Sequence, residues 1–252
     1  MSEIRGIYSL LFREVKRYLR ERTRIISSFV QPLLWLIIFG AGLGSIIPSS
    51  SGFSYQEFIF PGIICQTLLF TSMFMGISVI WDRQFGFLKE ILVAPITRVS
   101  IFIGKMLGVS TDSMIQGTIV LMLGFLIGVN INLPLIAKTI PLMFLITVGL
   151  VCIGLTLASF MNSLESFGTI MTFVNLPMFL LSGALFPVKN LPSWLQWIVY
   201  IDPLTYAVDA LRIVILGAKY VSLFPLQFDM IVIIIFDIFM ILVGTYSFSL
   251  RK

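Results

Sequence analysis

Long apolar runs broken by short charged stretches dominate this chain. One break stands out: residues 83–98, RQFGFLKEILVAPITR, form a charged amphipathic insert between two such runs. Six runs, 25–47, 58–81, 101–129, 135–160, 167–187 and 230–250, are each long enough as helices to cross about 30 Å of hydrocarbon. A further tract, 188–217, is apolar from Trp194 to Leu216 but interrupted by Asp202, Pro203, Asp209 and Arg212. Ahead of the first run, residues 1–24 place Ile4, Ile7, Tyr8, Leu11, Phe12, Val15, Tyr18 and Leu19 at helical spacing, with Arg13, Lys16, Arg17, Arg20 and Glu21 opposite. That pattern predicts an amphipathic helix lying in a membrane interface. Its length and patterning argue against a cleaved signal peptide. It is either a passive anchor or an elbow that couples a cytoplasmic motor to the first run.

Composition agrees with a polytopic membrane protein: 58% of the 252 residues are hydrophobic and 12% charged, against an apolar share of about 45–50% in soluble domains. The spans leave no room for a separate globular domain of about 100 residues, so any large soluble activity belongs to another chain. Lysine and arginine set the orientation. Arg5, Arg13, Lys16, Arg17, Arg20, Arg22 and Arg24 precede the first run, Arg83, Lys89, Arg98 and Lys105 flank the insert, and Arg251 and Lys252 close the chain. All belong on the cytoplasmic side, which puts both termini inside and requires an even number of crossings. Six satisfies this, so 188–217 is expected to be a re-entrant helical hairpin in the outer leaflet, above a translocation path. The net charge of +5 follows from this topology and calls for no nucleic acid.

The candidate chemistry is sparse. The chain has no histidine, which removes the commonest general base and transition-metal ligand. Cys65 and Cys152 lie within apolar runs and read as buried free thiols. No GxxxxGK[ST] phosphate loop occurs. In the insert, Phe85, Phe87, Leu88, Ile91 and Leu92 make an apolar face beside Arg83, Lys89 and Glu90; Pro95 stops that helix, and Thr97 or Ser100 can cap the next. An ordinary positively charged turn is the alternative, but helix connections in bundles usually take about two to eight residues.

Four separated strings carry a resemblance: GFSYQEFIFPGI (52–63), KEILVAPITR (89–98), SGALFPVKNLPSWLQ (182–196) and DPLTYAVDALR (202–212). In this order and topology the chain resembles the permease subunits of type-2 ABC exporters, which include drug-resistance, polysaccharide and lipooligosaccharide exporters. The resemblance implies an all-α membrane protein with six transmembrane helices, an N-terminal interface helix, a cytoplasmic coupling helix and an outer re-entrant hairpin, located in the inner membrane. It also implies a dimer of permeases, most simply a homodimer, bound to two copies of a cytoplasmic ATPase. ATP and Mg²⁺ would reside on that partner, with no cofactor and no catalytic residue here. By position, Phe87, Leu88, Glu90, Ile91 and Leu92 would dock in the ATPase groove, and Arg98 would hold the end of the coupling helix to the membrane domain.

Other residues have two readings each. Asp112 and Asp237 fall within spans, where a carboxylate costs roughly 2.5–3.5 kcal/mol; they are either a proton or cation site or structural contacts. Asp209 and Arg212, three apart on a helix, can pair and hold an outer gate plugged by Phe186, Leu191, Trp194 and Trp197. The two tryptophans also fit an aromatic belt. Gly104 with Gly108, and Gly124 with Gly128, could allow close helix contact. The 23 phenylalanines and 12 methionines suit an adaptable apolar path. An amphipathic drug-like or lipid-like cargo is the first expectation and a lipid-linked polysaccharide or lipooligosaccharide the second. A different class, an ion-coupled carrier or channel, needs no ATPase.

Overall fold

A computed structural model describes residues 3–44, 54–86 and 96–250. These residues form ten α-helices with short 3₁₀ turns, and no strand occurs among them. They are α1 (Glu3–Arg20), α2 (Arg22–Gly44), α3 (Tyr55–Phe74), α4 (Ile77–Gln84), α5 (Arg98–Leu123), α6 (Leu133–Phe160), α7 (Leu164–Leu181), α8 (Ser193–Ile201), α9 (Pro203–Leu216) and α10 (Leu226–Leu250). Five stretches are long and apolar enough to cross a membrane: Tyr55–Gln84, Arg98–Ile127, Leu133–Phe160, Leu164–Leu181 and Leu226–Ser249. Within α2, the apolar stretch Val30–Gly40 is shorter. The chain is therefore a multi-pass membrane protein.

Helix ends follow local chemistry. Ser54 and Glu57 form a reciprocal capping box at the start of α3, with the Ser54 amide donating to Glu57 Oε2 at 2.8 Å. Asn132, Ser163 and Asp202 cap α6, α7 and α9, and Pro203 takes the first position of α9, where no amide partner is needed. The fifth expected run, 167–187, is helical only to Leu181. Gly183, at φ 70°, turns the chain there into a left-handed conformation that suits glycine.

The second expected run, 58–81, is a broken helix rather than a continuous one. Between α3 and α4 the chain turns at Met75–Gly76, and Gly76 packs against the carbonyl of Gly154 on α6. Gly154 in turn lies on the backbone of Met73. Two backbones meet there with no side chain between them, a contact that only small residues permit.

α3 is the centre of the bundle. Ile59, Phe60, Ile63, Ile64, Cys65, Leu68 and Leu69 are fully buried, and α2, α5, α6, α7 and α9 all pack on it. Polar side chains join the buried helices. Thr71 donates to Gln116 Oε1 at 2.8 Å and Ser72 to Ser113 at 3.0 Å, tying α3 to α5, while Ser159 and Ser247 tie α6 to α10. Such bonds hold helices together where lipid supplies no hydrophobic drive between them. α10 keeps much of its apolar surface exposed, including Ile231, Ile235, Phe239 and Leu242.

The backbone crossing gives the first test. Gly154→Val should destabilise the protein by about 1–3 kcal/mol through overpacking. Gly168→Ala in α7, where a Cβ meets nothing within 4 Å, should be neutral or stabilising by up to about 1 kcal/mol. Thermal melting of both variants in detergent checks the contrast; equal melting points would exclude a tight crossing at Gly154.

Candidate coupling site at the insert

The insert leaves the end of α4 and re-enters the bundle at α5, and α1 lies against both. The side of α1 that packs on the protein is not its strongest apolar row. Gly6, Leu10, Glu14 and Tyr18, spaced four apart, are buried, whereas Ile4, Tyr8, Phe12 and Leu19 are exposed. In a membrane the apolar row is free to meet lipid, and close protein contact falls to small residues. Gly104 and Gly108 of α5 supply that contact: a Cβ at Gly104 would strike Leu10, and one at Gly108 would strike Glu14. Gly124 and Gly128 do not form an equivalent pair. Gly124 lies against Phe60, and Gly128, at φ 84°, ends the turn after α5.

The close approach of α1 to α5 brings charges together. Lys105 of α5 is fully buried between Asp82 of α4 and Glu14 of α1. Its ammonium bonds Asp82 Oδ2 and lies 3.6 Å from Glu14 Oε1. Arg13 of α1 reaches the other Asp82 oxygen at 2.5 Å. Two cations thus face two carboxylates across three helices. At the start of α1, Glu3 accepts from the Thr97 amide at 3.2 Å and the Thr97 hydroxyl at 3.1 Å. The Ser100 hydroxyl and the Thr97 amide hold the Glu3 carboxyl below the usual range. Thr97 itself caps α5, accepting from the Ser100 amide.

Two arginines anchor the flanks of the insert to the ends of other helices. Arg83 donates to the carbonyls of Met161 and Ser159, at 2.8 and 3.1 Å, and to Asn162 Oδ1 at 2.9 Å. Arg98 donates to the carbonyl of Ser249, at the end of α10, at 2.9 Å. Both meet a C-terminal helix end, where unpaired carbonyls and the helix dipole favour a cation. Phe87, Leu88, Glu90, Ile91 and Leu92 lie outside the described residues. Arg98 is therefore the one expected coupling residue with a described position.

At the opposite end of the bundle, the tract 188–217 contains the two short helices α8 and α9. Arg212 and Asp209 are both buried, but no ion pair joins them. Each is satisfied elsewhere. Arg212 donates to the carbonyls of Phe58, Gly183 and Ala184 at 3.2, 2.9 and 2.8 Å, and its guanidinium lies 3.8 Å from the centre of the Phe58 ring. Asp209 accepts from the Tyr220 hydroxyl at 2.7 Å and from the Leu223 and Phe224 amides at 3.0 and 3.1 Å. Arg212 thus binds α9 to α3 and to the turn after α7, while Asp209 binds it to the segment before α10.

The expected plug divides. Phe186 and Leu191 are half-buried, but Trp194 and Trp197 are 65% and 72% exposed on one face of α8. Asp112 is buried on α5, and Asp237 of α10 lies over Gly149 of α6. The carbonyl partners of Arg83, Arg98 and Arg212 have no sequence signal, since any residue carries a carbonyl. The Glu14–Lys105 contact had one weak signal, an ionisable residue four positions along the stripe that runs through Gly6 and Leu10.

The ion network predicts a specific pattern of stability. Lys105→Met should cost about 3–5 kcal/mol, because it leaves Asp82 and Glu14 buried without their shared cation. Adding Asp82→Asn and Glu14→Gln should recover most of the loss. Melting of the detergent-solubilised variants tests this, and a single variant as stable as the parent would show that the network holds nothing together.

Comparison with known proteins places this architecture. A family model described as ABC-2 type transporter matches residues 5–216, from α1 to the end of α9. Transport permease ycf38 of Cyanophora paradoxa is 33% identical over 255 residues, covering 94% of this chain and 86% of its own length. Nodulation protein J of Rhizobium leguminosarum bv. viciae is 28% identical over 195 residues, covering 77% and 75% respectively. Multidrug ABC transporter permease YbhR of Escherichia coli (strain K12) is 32% identical over 160 residues, 62% of this chain and 42% of its own.

Proposed function

This chain belongs to the ABC-2 type transporter family, and we propose that it is the permease subunit of an ATP-driven exporter whose separate ATPase grips the insert between α4 and α5. One observation carries this reading. Both flanks of the insert are fastened to the bundle, by Arg83 to the end of α6 and by Arg98 to the end of α10, and α1 bridges them through Asp82 and Thr97. A force applied at the insert would therefore reach α1, α4, α5, α6 and α10 together. A surface loop without function needs no such fastening.

In this reading Phe87, Leu88, Ile91 and Leu92 fill an apolar groove of the ATPase, and Glu90 offers it a carboxylate. ATP and Mg²⁺ are held by that partner. α2 supplies the sixth crossing, both termini lie in the cytoplasm of an inner-membrane protein, and two permease copies with two ATPase copies form the working unit. At the outer end, Asp209 and Arg212 hold the hairpin of α8 and α9, and the half-buried Phe186 and Leu191 close the path, while Trp194, exposed on α8, would join them only against the second permease copy. The cargo is an amphipathic drug-like or lipid-like molecule; the word multidrug in the name of the Escherichia coli relative supports that class.

Co-expression with the ATPase encoded nearest to this chain tests the assignment. The pair should co-purify, and transport in vesicles should stop when ATP is depleted. Transport that persists without ATP would mark an ion-coupled carrier instead. Glu90→Ala should lower transport at least about tenfold while ATP hydrolysis continues, since a barrier raised by about 1.4 kcal/mol slows a step by that factor. Transport and hydrolysis both unchanged in that variant would remove Glu90 from the mechanism.

A further inference from the structure

The ion network of Lys105 and Asp82 backs onto an open groove of about 700 Å³ between α1 and the end of α4. Trp81 forms part of its wall, with the Arg17 guanidinium 4.8 Å from the ring centre. The cations Arg13, Lys16, Arg17 and Arg20 line it, against the carboxylates Asp82 and Glu21. Both carboxylates are engaged, Asp82 with Arg13 and Lys105 and Glu21 with Arg17 at 3.7 Å. Lys16 and Arg20 have no acidic partner among the described residues. The groove therefore carries uncompensated positive charge beside exposed rings, those of Phe12 and Phe85.

We propose that this groove binds the phosphate headgroup of an acidic phospholipid from the leaflet in which α1 lies, with the first acyl carbons against Phe12 and Phe85. The occupant must be anionic and apolar at once, because cations and aromatic rings share one opening. Free phosphate would leave the rings in water, and an acidic protein loop would set polar chain against them. Depth agrees with a lipid. The exposed row Ile4, Tyr8, Phe12 and Leu19 seats α1 at the headgroup level, where tryptophan is also favoured. Arg13 lines the groove and binds Asp82, so a headgroup there stands beside the network that holds α1 to α4. Acidic lipid would then reinforce the frame around the insert. The site itself stands on geometry and charge, and only this consequence for coupling rests on the exporter reading.

Native mass spectrometry of the full chain in detergent, with phosphatidylglycerol or phosphatidylcholine added, tests the proposal. Phosphatidylglycerol should be retained preferentially. Lys16→Gln with Arg20→Gln should weaken its retention roughly 25-fold, at about fivefold per cation. Both side chains are exposed and have no acidic partner among the described residues, so the melting point should not change. In a background with Trp81 as the sole tryptophan, brominated phosphatidylglycerol should quench its fluorescence at lower concentration than brominated phosphatidylcholine. Equal retention of the two lipids, or unchanged retention in the double variant, overturns the proposal. Displacement of the lipid by inorganic phosphate overturns it in favour of a phosphate site, and displacement by the purified ATPase in favour of a protein docking surface. No transport is measured, so failure here leaves the exporter reading standing, and failure of that reading leaves the lipid site standing.

Discussion

The buried ammonium of Lys105 is the constraint on which this end of the molecule depends. A lone cation out of water is costly by several kcal/mol, and that cost falls only when carboxylates approach it. Asp82 and Glu14 do so from different helices, so their charges also set the positions of α1 and α4 relative to α5. The glycines are part of the same arrangement. A side chain at Gly104 or Gly108 would collide with α1, and the Glu14 carboxylate would no longer reach the ammonium. Packing and charge here are one condition, since each is favourable only when the other is met.

Away from that network, three arginines fasten helices through backbone carbonyls. Arg83 and Arg98 meet helix C-termini, and Arg212 meets the turn opened by Gly183. A guanidinium has several donors in a fixed fork and suits multiple acceptors. Unpaired carbonyls inside an apolar bundle need donors as much as the arginine needs acceptors. At Arg212, which is fully buried against Phe58, Gly183 and Ala184, the contact therefore removes two costs together; at Arg83 and Arg98 the carbonyls lie at less buried helix ends.

The alternation of apolar runs and charged breaks was enough to find the helices, because length and hydropathy alone decide which segments can cross a bilayer. It gave less about their faces. The pattern of α1 marks an interface helix, and Ile4, Tyr8, Phe12 and Leu19 are exposed, but it did not show that Tyr18 of the same row is buried together with Gly6, Leu10 and Glu14. The Asp209 and Arg212 spacing was equally ambiguous: three residues apart permits a pair, but each side chain found better partners from distant segments. The break at Gly76 depends on Gly154, seventy-eight positions on, and no local pattern announces a contact between two backbones.

The two ends of the bundle differ in what holds them, and this bears on how a transporter of this family can work. Around the insert, ion pairs join α1, α4 and α5, and arginine hydrogen bonds to backbone carbonyls reach α6 and α10. At the opposite end, α9 is held by carbonyl and amide hydrogen bonds to α3, to the turn after α7 and to the segment before α10. Arginine-to-carbonyl bonds, short-ranged and directional, therefore serve both ends, and the buried ion network of Lys105, Asp82 and Glu14 is what the insert end has in addition. If an ATPase acts at the insert, as proposed above, that ion network is what would carry its push into α1, α4 and α5 together.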